Sequence, residues 1–582
     1  MTDATAASLL PVAAIAPIGG AILAPIAARL DRRVPVWISL LALAASLVVL
    51  LAIAPRVYGG RVISHYMGNV TPFGGHVLGI AFAADPFGMT FAIAAAAIGA
   101  LLLLFTLSSL RELAPRELGG YACLFQLLIA ALIGSALTAD LFNLFVWFEV
   151  AALSSYGLTG FFLERPIALE AAFKVLVLTT LASFFIFIGA ALLYADHGAL
   201  SFAQLHRALA RGAGTTDMAA LALLLCGFAT KAGLVPFHGW LPDAHTAAPG
   251  PVSALFSALM VNLGIVAIAR IALQIYGPAV ASPVLSLLLV AGLISTLAGA
   301  LLALAQDDLK RLLAYDTISQ MGLLCVGIAT GSAGGLAGTA YHLISQALFK
   351  GLLFLCAGAI VHMTGETELS KMGGLARRQP ILAAAFTIAL AGIAGIPLLS
   401  GYPSLALIHE ATRRDSVAAY AAELLAQVIT IAALARAAHL AFYRPRRSAY
   451  EQFDRLHPGM TAALWLLGVA AVAFGVFPAW VIDHIASPAA AGLIHAGAYS
   501  HAVLAGAGQI APARVSLDYF SASELITVAF TTALGVALAF VYMRIGEPAP
   551  ISLLRRLQTG SVNDYAAYAV VGVLCTMAVL VT

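Results

Sequence analysis

Residues Leu221–Pro236 read LALLLCGFATKAGLVP, an apolar run that reaches Lys231 and then meets Gly233 and Pro236. The run has the composition of a membrane-crossing helix. Proline lacks a backbone donor and clashes with the turn before it, so the helix is expected to stop here instead of spanning the bilayer without interruption. The carbonyls released at the stop need other partners, and in hydrocarbon only protein groups or a water-lined cavity supply them.

A second segment repeats the pattern, with AGIP at Ala394–Pro397 closing another apolar half. Helix breaks in corresponding positions of two halves point to inverted repeats around a transport cavity, so Pro236 and Pro397 are the expected breaks. A plain proline kink is the alternative at each.

The rest of the chain fits a membrane setting. Of 582 residues, 62% are hydrophobic and 10% charged, against about 25% charged in an ordinary soluble domain. Apolar runs long enough to cross a hydrocarbon core recur from end to end, which predicts an all-α polytopic membrane protein with about sixteen transmembrane helices. Their centres fall near residues 18, 44, 98, 128, 150, 181, 226, 262, 293, 320, 350, 394, 430, 471, 533 and 573. The first run, from about Ala7 to Ala28, has no basic leader and reads as a retained helix. The net charge of +3 is small and scattered, which argues against a nucleic-acid partner.

With the amino terminus outside, eighteen of the 30 Lys and Arg residues fall in inside loops and eight in outside loops. The inside set includes Arg29, Arg32, Arg33, Arg111, Lys310, Arg446, Arg447 and Arg455; the outside set includes Arg56, Arg61, Arg270 and Arg414. In the cell inner (plasma) membrane expected to hold the chain, that bias places both termini outside. The five cysteines lie in apolar runs without paired spacing and read as packing residues.

Chemistry is expected where charge lies inside apolar sequence. A charge at a helix centre costs about 2.5–3.5 kcal/mol on insertion scales, so it normally faces a hydrated interior or a partner. Three of only five lysines, Lys174, Lys231 and Lys350, are placed this way. Glu149, in DLFNLFVWFE from Asp140, has no cation within a helical turn and needs a partner from another helix; Lys231 and Lys174 are the candidates. A carboxylate near a buried ammonium holds it protonated, and separation releases the proton. His342, Gln346 and Lys350 are spaced by four and share a helix face; His342 alone is equally readable as a packing residue. Glu423, Arg436 and His439 are weaker candidates, since the last two can snorkel to the inner surface. Asp243 with His238 and His245, in an expected loop, resembles a metal set but lacks a fourth ligand, and no metal is expected. No flavin, iron–sulfur or haem motif occurs, so no cofactor is expected and the chain is not expected to be catalytic in itself.

The run Lys231–Ala258, KAGLVPFHGWLPDAHTAAPGPVSALFSA, resembles the signature of the antiporter-like, proton-conducting subunits shared by respiratory complex I, membrane-bound hydrogenases and Mrp cation/proton antiporters. DLFNLFVWFEV (Asp140–Val150), QDDLKRLLAYDTISQMG (Gln306–Gly322) and HLISQALFKGLLFLCAGAI (His342–Ile360) extend the resemblance over about residues 80–480. The segment around Glu149 is similar to the D-type member of Mrp antiporters, while LQTGSVNDYAAY near Gln558 resembles the carboxyl end of the longer A-type and complex I subunits.

The resemblance implies a 14-helix core with two inverted five-helix repeats. Residues 1–118 would hold helices 1–3, 119–275 the first repeat, 276–445 the second and 446–582 helices 14–16. It implies a proton path through Glu149, Lys231 and Lys350, with Lys174, His342 and Asp316 as further candidates. Asn262 and Leu405 stand where the family usually has ionisable residues, and Gln346 replaces a common histidine. Asparagine can hold a water chain but cannot carry the exchanged proton, and leucine does neither. Asp316, with His409 and Glu410, offers a rerouted path, although His409 and Glu410 are expected at the membrane surface.

The function expected is a proton- or cation-translocating subunit of a multi-subunit Mrp-type Na+/H+ antiporter or complex I-like assembly. Its partners would be other membrane subunits, the lipid bilayer and protons, with Na+ or K+ as candidate exchange ions. The alternatives are a degenerate structural paralogue without a complete path, or the pump subunit of an NADH–quinone oxidoreductase or membrane-bound hydrogenase.

Overall fold

In the computed structural model the chain is described except for residues 110–112, 278–280, 446–449, 451–455, 506–507, 520, 548, 557 and 582. Arg111, Arg446, Arg447 and Arg455 of the expected inside set lie outside the described residues. Fourteen helices among the described residues are long and apolar enough to cross a membrane, from Asp3–Ala27 to Val562–Val581. Each expected centre falls in one of them except those near 226 and 394. These two belong to the interrupted segments, where helices Thr215–Ala232 and Pro380–Ile393 stop short and the chain resumes as helices Trp240–Ala247 and Gly401–Asp415. The expected loop carrying His238, Asp243 and His245 is therefore largely helical.

The two breaks are solved alike. At the first, Gly233 (φ 72°) takes the left-handed conformation that closes a helix, and the Thr230 carbonyl accepts from the Gly233 amide at 3.1 Å and from Trp240 Nε1 at 2.8 Å. At the second, Gly395 (φ 73°) plays the same part, and the Ala394 carbonyl accepts from Gln427 Nε2 at 3.1 Å. At each break a side-chain N–H from a neighbouring element donates to a carbonyl at the helix end.

Small residues let the central helices approach closely. A Cβ at Gly292 would stand 2.8 Å from the Gly322 carbonyl, and one at Gly299 would stand 2.4 Å from the Ser319 amide. Helices Ala281–Leu304 and Leu309–Ala329 are thus packed backbone to backbone. Helices Leu309–Ala329 and Ala333–Thr364 are buried along nearly their whole length. By contrast, helices Ala522–Ile545 and Val562–Val581 are mostly exposed and lie at the periphery.

A cap covers one end of the bundle. Strands Ile63–Tyr66 and Ala81–Ala84 form an antiparallel hairpin, and the short helix Ala496–Ala505 packs against it, with the Tyr66 hydroxyl donating to the Val503 carbonyl. Arg270, expected in an outside loop, is instead fully buried in the helical run Gly250–Tyr276. It donates to Asp85 Oδ1 at 2.6 Å and to the Ala136 carbonyl at 2.8 Å. Gln274 completes this buried network by donating to Asp85 and to the Gly492 carbonyl. Lys310 is likewise buried at the start of helix Leu309–Ala329, donating to the Ala248 carbonyl at 2.5 Å.

Candidate functional site: a buried file of ionisable side chains

Helix Leu141–Thr159 carries Glu149 about 12 Å along its axis from the first residue, near the middle of the helix. Lys231 occupies the last turn of helix Thr215–Ala232, immediately before the break. Glu149 Oε1 lies 3.7 Å from Lys231 Nζ, and Ser183 of helix Pro166–His197 bridges them. The Ser183 hydroxyl accepts from Lys231 at 2.9 Å and donates to Glu149. Lys231 is buried, whereas the Glu149 side chain remains 32% exposed.

Lys174 is not Glu149's partner. Its ammonium contacts Asp243 at 2.8 Å and Glu170 at 2.7 Å, and Asp243 also holds Arg311 at 2.7 Å. Asp243 is therefore engaged by two cations. His238 bonds the Gln558 amide through Nε2 at 2.8 Å, while His245 stacks on Phe354. The three residues are dispersed among separate partners, and no cluster able to hold a metal ion occurs among the described residues.

Two amides follow Lys231 in the bundle interior. Gly264 packs so tightly that a Cβ there would stand 2.6 Å from the Ala232 amide. Two residues earlier, Asn262 donates to Gln346 Oε1 at 2.9 Å and to the Ala258 carbonyl at 2.7 Å. Gln346 in turn donates to the Ser257 carbonyl at 3.1 Å. The Asn262 Oδ1 atom is buried and receives no hydrogen bond from the described residues. Amides can pass a hydrogen bond along but do not hold an extra proton near neutral pH.

The face shared by His342, Gln346 and Lys350 on helix Ala333–Thr364 is buried throughout. Lys350 and Asp316 form a fully buried ion pair. One turn beyond Asp316, Gln320 meets His342 Nε2 at 3.0 Å, and His342 Nδ1 meets Ser404 Oγ at 3.0 Å. Leu405 is buried between apolar neighbours.

The surface placement expected for His409 is corrected. His409 is 4% exposed and meets the edge of the Tyr420 ring, whereas Glu410 lies at the surface, tied to Arg413 and Arg414. Helix Gly401–Asp415 turns its His409 face inward against helix Val417–Ala438, and adjacent positions on a helix point in different directions. Arg436 reaches the Gln306 carbonyl at 2.7 Å and lies 3.7 Å from Asp307, in keeping with a residue extended to the bundle end.

A polytopic helical bundle with two interrupted helices and a file of buried acids, lysines and a histidine defines an ion-translocating membrane protein. The match to known proteins narrows this. Residues 138–430 match the family model described as NADH:quinone oxidoreductase/Mrp antiporter, TM. The chain is 32% identical to the D-type component of the Na(+)/H(+) antiporter of Bacillus subtilis over 73% of its length and 86% of that protein. It is 34% identical to the N-type component of the NADH-quinone oxidoreductase of Desulforudis audaxviator over 62% of its length and 72% of that protein. Its fold is similar to a chain of the Mrp complex from Dietzia sp. DQ12-45-1b, with a TM-score of 0.78 at 26% identity, covering 87% of this chain and all of that one. A chain of the archaeal membrane-bound sulfane sulfur reductase, at TM-score 0.77 and 27% identity, covers 86% of it. The chain belongs to the NADH:quinone oxidoreductase/Mrp antiporter family of membrane proteins. It is a multi-pass membrane protein and a proton- or cation-translocating component of an Mrp-type or complex I-like assembly.

Proposed function

We propose that the chain moves protons through the Glu149–Ser183–Lys231 cluster and onward along Asn262–Gln346, Lys350–Asp316 and Gln320–His342–Ser404. The observation that carries this reading is the first cluster. A buried ammonium stands beside a carboxylate and a hydroxyl at the end of a broken helix. When the carboxylate is near, the ammonium keeps its proton; when the two separate, desolvation favours release.

Sixteen spans follow when the two interrupted segments are added to the fourteen long helices. We read residues 119–275 and 276–445 as inverted repeats, each carrying one break at which a side-chain N–H donates to a helix-end carbonyl. The excess of basic residues in one set of loops supports both termini outside. The partly exposed Glu149 shares its helix face with Phe142, Val146 and Leu153, all exposed. An acid facing lipid near the middle of a spanning helix is costly, so this face is read as the seat of another membrane subunit. Relatives named as components of Na(+)/H(+) antiporters support Na+ as the exchange ion.

Proton movement in vesicles containing the whole assembly tests the function. Lys231→Ala and Glu149→Ala are each expected to lower transport by about a hundredfold, the scale of losing a positioned proton carrier. Wild-type rates in both would leave the chain as a structural subunit.

A further inference from the structure

Past His342 the file reaches Ser404 on helix Gly401–Asp415, and Leu405 beside it supplies no group that can take a proton. Nearer the end of the same helix, His409 and Thr412 are buried again and face helix Val417–Ala438. There the Tyr420 ring meets His409, and Thr412 Oγ1 donates to Glu423 Oε1 at 3.1 Å.

Glu423 is 2% exposed, and its second oxygen, Oε2, receives no hydrogen bond from any described residue. It lies about 9 Å along the axis from the start of its helix, inside the apolar zone. The titratable groups around it are Tyr420 on its own helix, His409 on the facing helix, and Glu524 near Tyr420 on helix Ala522–Ile545. Glu410, Arg413 and Arg414 are joined to one another at the surface, and no ion pair to Glu423 occurs among the described residues. A buried acid without a cation is expensive to keep as a mere packing group, because its charged form lacks compensation and its neutral form leaves an oxygen unused.

We propose that Glu423 is the terminal proton acceptor of the file, receiving protons from the His342–Ser404 region through His409 and delivering them to the surface at the Ser416 turn. In the transfer, protonated His409 gives its proton to the Glu423 carboxylate, leaving a neutral imidazole and a neutral acid. Loss of that proton to water restores the carboxylate. Thr412 positions the acceptor by holding Oε1, so that Oε2 is the atom free to exchange. The proposal rests on the reading that the chain conducts protons.

The test compares variants in the intact assembly, reconstituted in vesicles and followed with a pH-sensitive dye. Glu423→Gln is expected to lower proton movement at least about tenfold with assembly preserved, while Glu423→Asp stays within about threefold and Glu410→Gln is unchanged. Wild-type transport by Glu423→Gln, alongside loss in Lys231→Ala, overturns the terminal role and leaves the conduction reading standing. Wild-type transport in both removes the two together. Should Glu423→Gln fail to assemble, the wild-type complex is treated with an apolar carbodiimide, which modifies buried protonated carboxyls, and the label is mapped by mass spectrometry. Labelling of Glu423 that declines as pH rises supports the proposal; an unlabelled Glu423 across the pH range overturns it.

Discussion

The Ser183 hydroxyl has one proton and two acceptors. It accepts from Lys231 Nζ at 2.9 Å, and its proton can point to Glu149 Oε1 or to the Thr179 carbonyl 2.9 Å away. Rotation about one bond therefore decides whether Glu149 and Lys231 are linked through the serine or only through space. A hydroxyl turning between a carboxylate and a helix carbonyl is a small two-position element of the kind a proton relay needs.

Ser183→Ala removes that link but leaves both charges in place. Transport by the assembly is expected to fall by about tenfold, less than for loss of either ionisable group, because the direct ion pair at 3.7 Å persists. Ser183→Thr keeps the hydroxyl and should stay near wild type in the same vesicle assay. Equal losses in the alanine and threonine variants would point to a packing defect.

The buried Lys350–Asp316 pair predicts a non-additive result. Neutralising one partner, in Asp316→Asn or Lys350→Met, strands the other charge in a dry interior and is expected to cost about 3–5 kcal/mol. Replacing both, in Asp316→Leu with Lys350→Met, should recover much of that loss, seen as a return of the thermal unfolding midpoint in detergent. Transport should stay depressed in all three, which separates the pair's part in conduction from its part in stability.

Lys174 gives a contrasting expectation. Its ammonium is buried against Asp243, with only Glu170 and Arg311 at the open edge, and it lies outside the Glu149 cluster. Lys174→Gln strips Asp243 of one of its two cations while Arg311 remains, so stability should fall by about 1–3 kcal/mol and transport by less than about threefold. A loss as large as that of Lys231→Ala, measured side by side, would return Lys174 to the conducting file.

Which of these relationships the sequence exposes follows from how each is encoded. Glu149 and Lys231 are legible because a charge inside an apolar run must be compensated, and Lys350 with His342 is legible from helical spacing. The choice between Lys231 and Lys174 is not, since it depends on Asp243, whose segment folds back as helix Trp240–Ala247 and brings its carboxylate to Lys174. Asp85 and Arg270 stand 185 residues apart and carry no mutual signal, so their buried pair emerges only from the fold. His409 and Glu410 look alike in sequence, and only the rotation of their helix sends one inward. The hairpin and the cap helices stay hidden because they are too short to stand out as long apolar runs.

Trp240 Nε1 donates to the Thr230 carbonyl, which otherwise keeps only the 3.1 Å bond from the Gly233 amide, so Trp240→Phe keeps most of the ring volume and removes one buried hydrogen bond, at a cost of about 0.5–1.5 kcal/mol. Gln427→Leu removes the bond to the Ala394 carbonyl at a similar cost, since Gln427 is only half-buried. The two variants should nevertheless differ in transport. Thr230 adjoins Lys231, so movement of that carbonyl shifts the ammonium against Ser183 and Glu149, where a small displacement breaks a 2.9 Å contact. Ala394 adjoins no ionisable residue, and Gln427→Leu should slow transport less than its thermal shift suggests. A Trp240→Phe assembly that unfolds earlier yet transports at the wild-type rate would mean that the first break holds the bundle together without positioning Lys231.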